Sequence, residues 1–153
     1  MVDSHMKTPW HVWVIGILML LWNGMGAMDY VMTVSRNPDY LAQFTPERLA
    51  FLDAFPTWAK ASWALAVWMS VLGSLFLLLR WRHAVWLLLG GVIFMIVTTI
   101  HNLFLAAVPA QETMSSFEIG FSIAIFVLAV LQVVYARYLQ RAEVLPGTNY
   151  ELW

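Results

Sequence analysis

Few side chains in this sequence can do chemistry, and five of them fall at one depth: Asp29, Lys60, His101, Asn102 and Glu118. Two carboxylates, an imidazole, an ammonium and an amide can relay protons, hold an ion or bind a polar substrate, and ionisable groups within apolar segments are functional candidates by default. Asp29 and His101 lie about 19 and about 17 residues from the starts of their segments, which at 1.5 Å per residue puts both roughly 25 Å from one bilayer face. Lys60 and Glu118 open two further segments on that same side. Asp29 nears the negative end of its helix and so needs a partner; His101 is the polar group at matching depth, with Lys60 in competition.

Each of these residues also has a structural reading. Ser115 and Glu118 form the Ser-x-x-Glu pattern of a capping box. Lys60, close to a helix end, is placed to reach up to the headgroups. His101 equally suits a neutral ring bonded to a neighbouring helix. Asp29, His101 and Glu118 together are a weaker alternative as metal ligands, since no Glu-x-x-His or His-x-x-x-His pair supports them. Asn23, Trp22 and Trp68 sit near mid-depth, where the two indoles could wall a pocket for an apolar or cationic ligand or simply pack.

The elements that must position these groups are membrane helices. Hydrophobic residues make up 61% of the 153 and charged residues 11%, with a mean hydropathy of +0.73; a soluble protein carries about 25% charge. Four apolar stretches, 10–34, 58–79, 84–107 and 117–139, are each long enough for a hydrocarbon core of roughly 30 Å. The expected fold is all-α, an integral membrane four-helix bundle within residues 7–141, followed by a flexible tail over 142–153. Met1–Met6 reads as an expression scar ahead of a native start at Met6. A net charge of −1 excludes nucleic acid as a partner, and the absence of cysteine removes disulfides, thiolate metal sites and a cysteine nucleophile together. No enzyme or cofactor motif stands out, so no cofactor is expected.

Between the first two spans, Thr45-Pro46-Glu47 supplies a cap, a first-turn proline and an acid, which predicts a short surface helix with Leu49, Leu52 and Phe55 on one face. The link Arg80-Trp81-Arg82-His83 is so short that spans two and three must be antiparallel neighbours. Basic residues orient the chain: Lys7, Arg80, Arg82, Arg137 and Arg141 flank one side, against Arg36, Arg48 and Lys60 on the other, which places both termini in the cytoplasm. Trp10, Trp13, Trp81 and Trp86 then form an inner aromatic belt, with Trp58 and Trp63 towards the outer one.

Helical spacing also indicates the inward faces. Ser62, Ala66, Ser70 and Ser74 recur every four residues as a small-residue stripe suited to close helix packing, within the bundle or between copies. Span one offers Gly16, Met19, Asn23, Gly26 and Tyr30, span three Gly91, Met95, Thr98 and Asn102, and span four Glu118, Ser122, Ile125, Ala129, Gln132 and Ala136.

Leu21-Trp22-Asn23-Gly24-Met25-Gly26, Thr45-Pro46-Glu47, Phe55-Pro56-Thr57-Trp58-Ala59 and Leu72-Gly73-Ser74-Leu75 resemble the first 80 residues of a group of small four-span bacterial membrane proteins catalogued as sugar transporters or as hypothetical proteins. The resemblance implies a bacterial inner-membrane location and carries no functional residues with it. Two functional readings follow: a bundle that binds or passes a small molecule or accompanies a larger membrane complex, and a membrane enzyme using the polar layer around His101. The absence of a nucleophile and base at recognisable spacing favours the first.

Overall fold

Long stretches of Leu, Val, Ile, Met and Trp without charge leave the backbone no partner in lipid but itself, and helices are the result. The computed structural model describes residues 8–107, 112 and 114–145, so the expected scar and the tail from 146 onward lie outside the described residues. Its elements are α1 (Trp10–Val34), α2 (Pro38–Leu41), α3 (Pro46–Asp53), α4 (Thr57–Leu78), α5 (Ala84–Ile100), a π-helical turn (His101–Leu105) and α6 (Ser116–Arg141). The fold is an all-α integral membrane bundle whose four long helices, α1, α4, α5 with its π turn, and α6, are each apolar and long enough to cross a bilayer. Between the first two lies the short helix α3, begun as its sequence predicts: Thr45 Oγ1 accepts from the Arg48 amide and Pro46 occupies the first turn.

The helices run up and down in sequence, α5 packing most closely on α4, then α1 on α4 and α6 on α5. Glycine makes the closest of these approaches. A Cβ built on Gly91 of α5 would stand 2.5 Å from Ser70 Oγ and 3.2 Å from the Ala66 carbonyl oxygen of α4, so any side chain there would push the helices apart. Ser62 and Ala66 of the small-residue stripe are buried. Ser62 Oγ donates to the Phe94 carbonyl over 3.0 Å and accepts from Thr98 Oγ1 over 3.0 Å.

At the end where α1 begins and α6 finishes, Val12, Leu77, Ala84, Val85, Leu88, Ala136, Leu139 and Leu145 form the main core. Leu145, only 2% exposed, belongs to that core. The opposite end, beneath the α2–α3 segment, has a smaller aromatic core of Phe51, Phe55 and Ala59. Of the expected face Leu49, Leu52 and Phe55, only Phe55 is fully buried, and Phe51, packed against it with ring centroids 5.5 Å apart, is the buried residue of α3.

Three long helices close in the same way. Arg36, Arg80 and Glu143 are left-handed at φ 56°, 58° and 57°. Asn37, Trp81 and Val144 amides then reach back to Met32, Phe76 and Leu139 carbonyls over 3.1, 2.8 and 3.0 Å, the double turn that satisfies the last free carbonyls of a helix. Glycine is the usual residue there because it carries no Cβ penalty.

Two inward stripes depart from the sequence expectation. Gly26 faces outward with nothing within 4 Å of the point where a Cβ would stand, and Ala27 is the buried neighbour. Ser122 is exposed, because α6 buries only its last half, through Gln132, Val133, Ala136 and Leu139.

Candidate functional site

The polar residues are gathered at two heights. At mid-depth, Asn23 of α1 projects its amide nitrogen into the bundle, 2.7 Å from Ser74 Oγ, 2.9 Å from Gln132 Oε1 and 3.2 Å from the Ser70 carbonyl. Ser74 Oγ in turn donates to that same Ser70 carbonyl over 2.9 Å. One asparagine thereby ties α1 to α4 and α6 in a region where water cannot substitute for a missing partner. The stripe on α4 therefore has two uses: Ser62, Ala66 and the Ser70 side chain lie against α5, while the Ser70 carbonyl and Ser74 Oγ receive Asn23.

Beside this knot, α1 and α6 separate into a cleft of about 730 Å³. Ile15, Leu18, Met19 and Trp22, one face of α1 at helical spacing, form one wall. Leu128, Leu131, Gln132, Tyr135 and Tyr138 of α6 form the other. Gln132 gives its oxygen to Asn23, and its amide nitrogen donates to no described residue. Towards the termini, the lining residue Tyr135 meets His11 of α1, its hydroxyl oxygen 2.7 Å from the His11 Nδ1. At the other end Trp22 lies against Phe121 with centroids 5.9 Å apart. Trp22 is thus a cavity wall, but Trp68 is not: it is 45% exposed on the bundle's outer surface, where an indole packs against lipid.

The second height is the end beneath α2 and α3, and the five residues expected to share one layer do not converge there. Asp29 takes the Tyr40 hydroxyl, not His101. Tyr40 is brought over α1 because Asn37 caps α2, its Oδ1 accepting from the Tyr40 amide over 3.0 Å. Burial, reinforced by the hydrogen bond and charge of Asp29, pushes the Tyr40 phenol up to about 12.

His101 is 4% exposed and enclosed by aromatic rings, its centroid 4.7 Å from Phe55 and 5.2 Å from Trp58. Its Nδ1–H donates to Asn102 Oδ1 over 3.2 Å. Both residues open the π turn, in which the Ala106 amide reaches back to the His101 carbonyl over 2.9 Å. His101 continues the buried face of α5 one step beyond Thr98, and the π turn that it opens leaves Phe104 and Leu105 exposed.

Glu118 turns back on its own helix and completes the capping box, accepting from the Ser115 amide over 2.7 Å and from Ser115 Oγ over 2.8 Å. With Asp29 held by Tyr40, His101 under Phe55 and Trp58, and Glu118 on Ser115, the three cannot form the weaker metal alternative. Among the described residues no three His, Cys, Asp or Glu side chains are grouped to hold a metal ion. Lys60 lines a small cavity with Thr33 and Arg36, and Arg36 pairs with Asp53. Trp63 joins this aromatic end by packing inward on Tyr30 at 5.0 Å, away from the expected belt.

Sequence reasoning missed Tyr40, His11 and Tyr135. The Asn37-Pro38 pair was a usable signal for Tyr40, since a cap followed by a first-turn proline starts a helix as well as it stops a span. Comparison of this chain with protein-family models, with curated proteins and with solved structures finds no match.

Proposed function

We propose that this membrane protein binds an amphipathic small molecule, taken from the bilayer into the cleft between α1 and α6. The observation that carries the reading is the cleft itself. Its volume, about 730 Å³, is in the range of ligand sites, and its walls are apolar with a few convergent polar groups, as such sites are. Gln132 presents an amide with hydrogen-bonding capacity to spare, and the His11 and Tyr135 pair adds polar atoms at the end near the termini. A ligand with an apolar body and a neutral or hydrogen-bonding head matches that distribution: the body replaces lipid contacts with wall contacts, and the head satisfies polar groups that hydrocarbon cannot.

The orientation belongs to the same proposal. Both termini face the cytoplasm of a bacterial cell and α2–α3 faces outward, supported by five basic residues flanking one side against three on the other. Because the chain has no cysteine, single cysteines at Asp39 and Gly147 can be probed with an impermeant thiol reagent on intact cells. Labelling at Asp39 with protection at Gly147 is expected, and the reverse pattern would invert the orientation.

Ligand binding is tested by photolabelling the purified protein in nanodiscs with a diazirine-bearing fatty acid and mapping the adducts. Labelling should concentrate on Leu18–Trp22 and Leu131–Tyr138, saturate, and yield to unlabelled fatty acid. Substituting Leu131→Trp, which sets an indole into the cleft between its walls, should lower the competed fraction. Uniform, non-competed labelling that includes the exposed α4 residues Leu65 and Leu72 would mean that the cleft holds ordinary annular lipid.

A further inference from the structure

The cavity beneath α2 and α3 is separate from the cleft, and its lining has an unusual composition. Its volume is about 50 Å³, enough for a group of a few heavy atoms. Three polar residues reach it: Thr33 on the last turn of α1, Arg36 just beyond it and Lys60 in the first turns of α4. The rest of the lining is apolar, including Leu52, Phe55 and Trp63, and it contains no carboxylate.

Thr33 is the informative residue. It is 7% exposed, and its hydroxyl bonds to no described group while staying open to the cavity that it lines. Other helical hydroxyls in this bundle find protein partners: Ser70, Ser74 and Ser122 bond the carbonyl one turn back, at Ala66, Ser70 and Glu118, over 2.8 to 2.9 Å, and Ser62 and Thr98 share each other and the Phe94 carbonyl. A buried hydroxyl that forgoes such a partner and borders a cavity is available to an occupant. The charges agree. Lys60 has no carboxylate within 4.0 Å among the described residues, and Arg36 shares its charge with Asp53, so the lining carries a net positive charge. The dipole at the start of α4, near Lys60, favours an anion and that of the last turn of α1, at Thr33, opposes one, so the two helix ends offset and the side-chain charges decide. Arg36, finally, is held at φ 56°, a conformation that glycine adopts at lower cost, and its side chain is what reaches both Asp53 and the cavity.

We propose that this cavity is an oxyanion site, in which Lys60 and Arg36 supply the charge and Thr33 a hydrogen bond to one oxygen of a phosphate group. That phosphate arrives either free or as the headgroup of an anionic lipid, since the cavity lies where a span meets the interface.

The test uses the full chain in a neutral detergent, with thermal unfolding followed as inorganic phosphate is titrated against chloride at matched ionic strength. A parallel arm uses nanodiscs with and without phosphatidylglycerol. A saturable rise in unfolding temperature with phosphate assigns a free anion; a rise with phosphatidylglycerol alone assigns a lipid headgroup. Lys60→Met should weaken the effect by about tenfold or more, as expected for loss of a charge-assisted bond, while Lys60→Arg retains it. Thr33→Val, which preserves shape, should weaken it several-fold with the ligand-free unfolding temperature unchanged. No response beyond chloride in either arm, or an undiminished response in Lys60→Met, would overturn the proposal.

Discussion

Asn23 Nδ2 donates to Gln132 Oε1 over 2.9 Å and so joins α1 to α6 beside the cleft that separates them. Interhelical hydrogen bonds in membranes are modest, averaging about 0.6 kcal/mol with a maximum near 1.7, because the helices find other partners when separated. The two hydrogens of Asn23 Nδ2 are spread over three acceptors, one of them shared, so Asn23→Leu should cost towards the upper figure, about 1 to 2 kcal/mol. Gln132→Leu removes one of the three and should cost less. Reversible unfolding in mixed micelles of the two variants and their double should give a coupling energy of about 0.6 kcal/mol. Strict additivity would mean that the two amides do not hold each other.

Glycines at two positions should respond oppositely to alanine. In Gly91→Ala the new methyl group meets Ser70 Oγ and the Ala66 carbonyl, neither able to retreat, and overpacking of this kind costs about 1 to 3 kcal/mol. Ser70→Leu pushes from the other helix and should cost a similar amount. Gly26→Ala places its methyl in open space and should be neutral or stabilising by up to about 1 kcal/mol through helix propensity. Thermal unfolding in detergent separates the two, and equal effects at Gly91 and Gly26 would show that α4 and α5 are not in tight contact.

The contrast between these glycines shows what was legible in the sequence. Span positions, the α3 cap and the antiparallel α4–α5 pair depend on local pattern, and local pattern is visible. The inward side of α5, with Gly91 and Thr98, could also be read, because it follows one helical period against one close neighbour. The partner of Asp29 could not. Depth counting puts His101 level with it, but α2 carries Tyr40 over the end of α1, and Phe55 and Trp58 enclose the His101 ring. Both effects are tertiary effects that a periodic reading averages away. The cleft was equally hidden, because its two walls are ordinary apolar stripes and only their separation makes them a site.

The Asp29 and Tyr40 contact makes its own prediction with a definite sign. A phenol pushed up to about 12 from an ordinary value of 10 holds its proton more tightly in the folded chain than in the unfolded one. Its contribution to stability is therefore complete below pH 10 and is lost as the pH rises from 10 towards 12. Titrating tyrosinate absorbance in wild type and Tyr40→Phe should give a difference curve with a midpoint near 12. A midpoint near 10 would remove the contact.

At the other end of the cleft, His11 and Tyr135 should act as the clasp between α1 and α6. Their 2.7 Å contact and the Asn23 to Gln132 bond are the hydrogen bonds between these two helices among the described residues, and Gln132 and Tyr135 both line the cleft. Tyr135→Phe keeps the ring that lies edge-on to His11 at 6.0 Å and removes only the hydroxyl. The core around Val12, Ala136 and Leu139 stays in place, so the protein should fold while the seam loosens. Spin labels on cysteines introduced at Val14 and Arg137, in a chain with no other cysteine, report this directly. The distance distribution should widen in Tyr135→Phe and widen further when Gln132→Leu is added. Identical distributions in wild type and Tyr135→Phe would show that apolar packing alone sets the separation of the two helices.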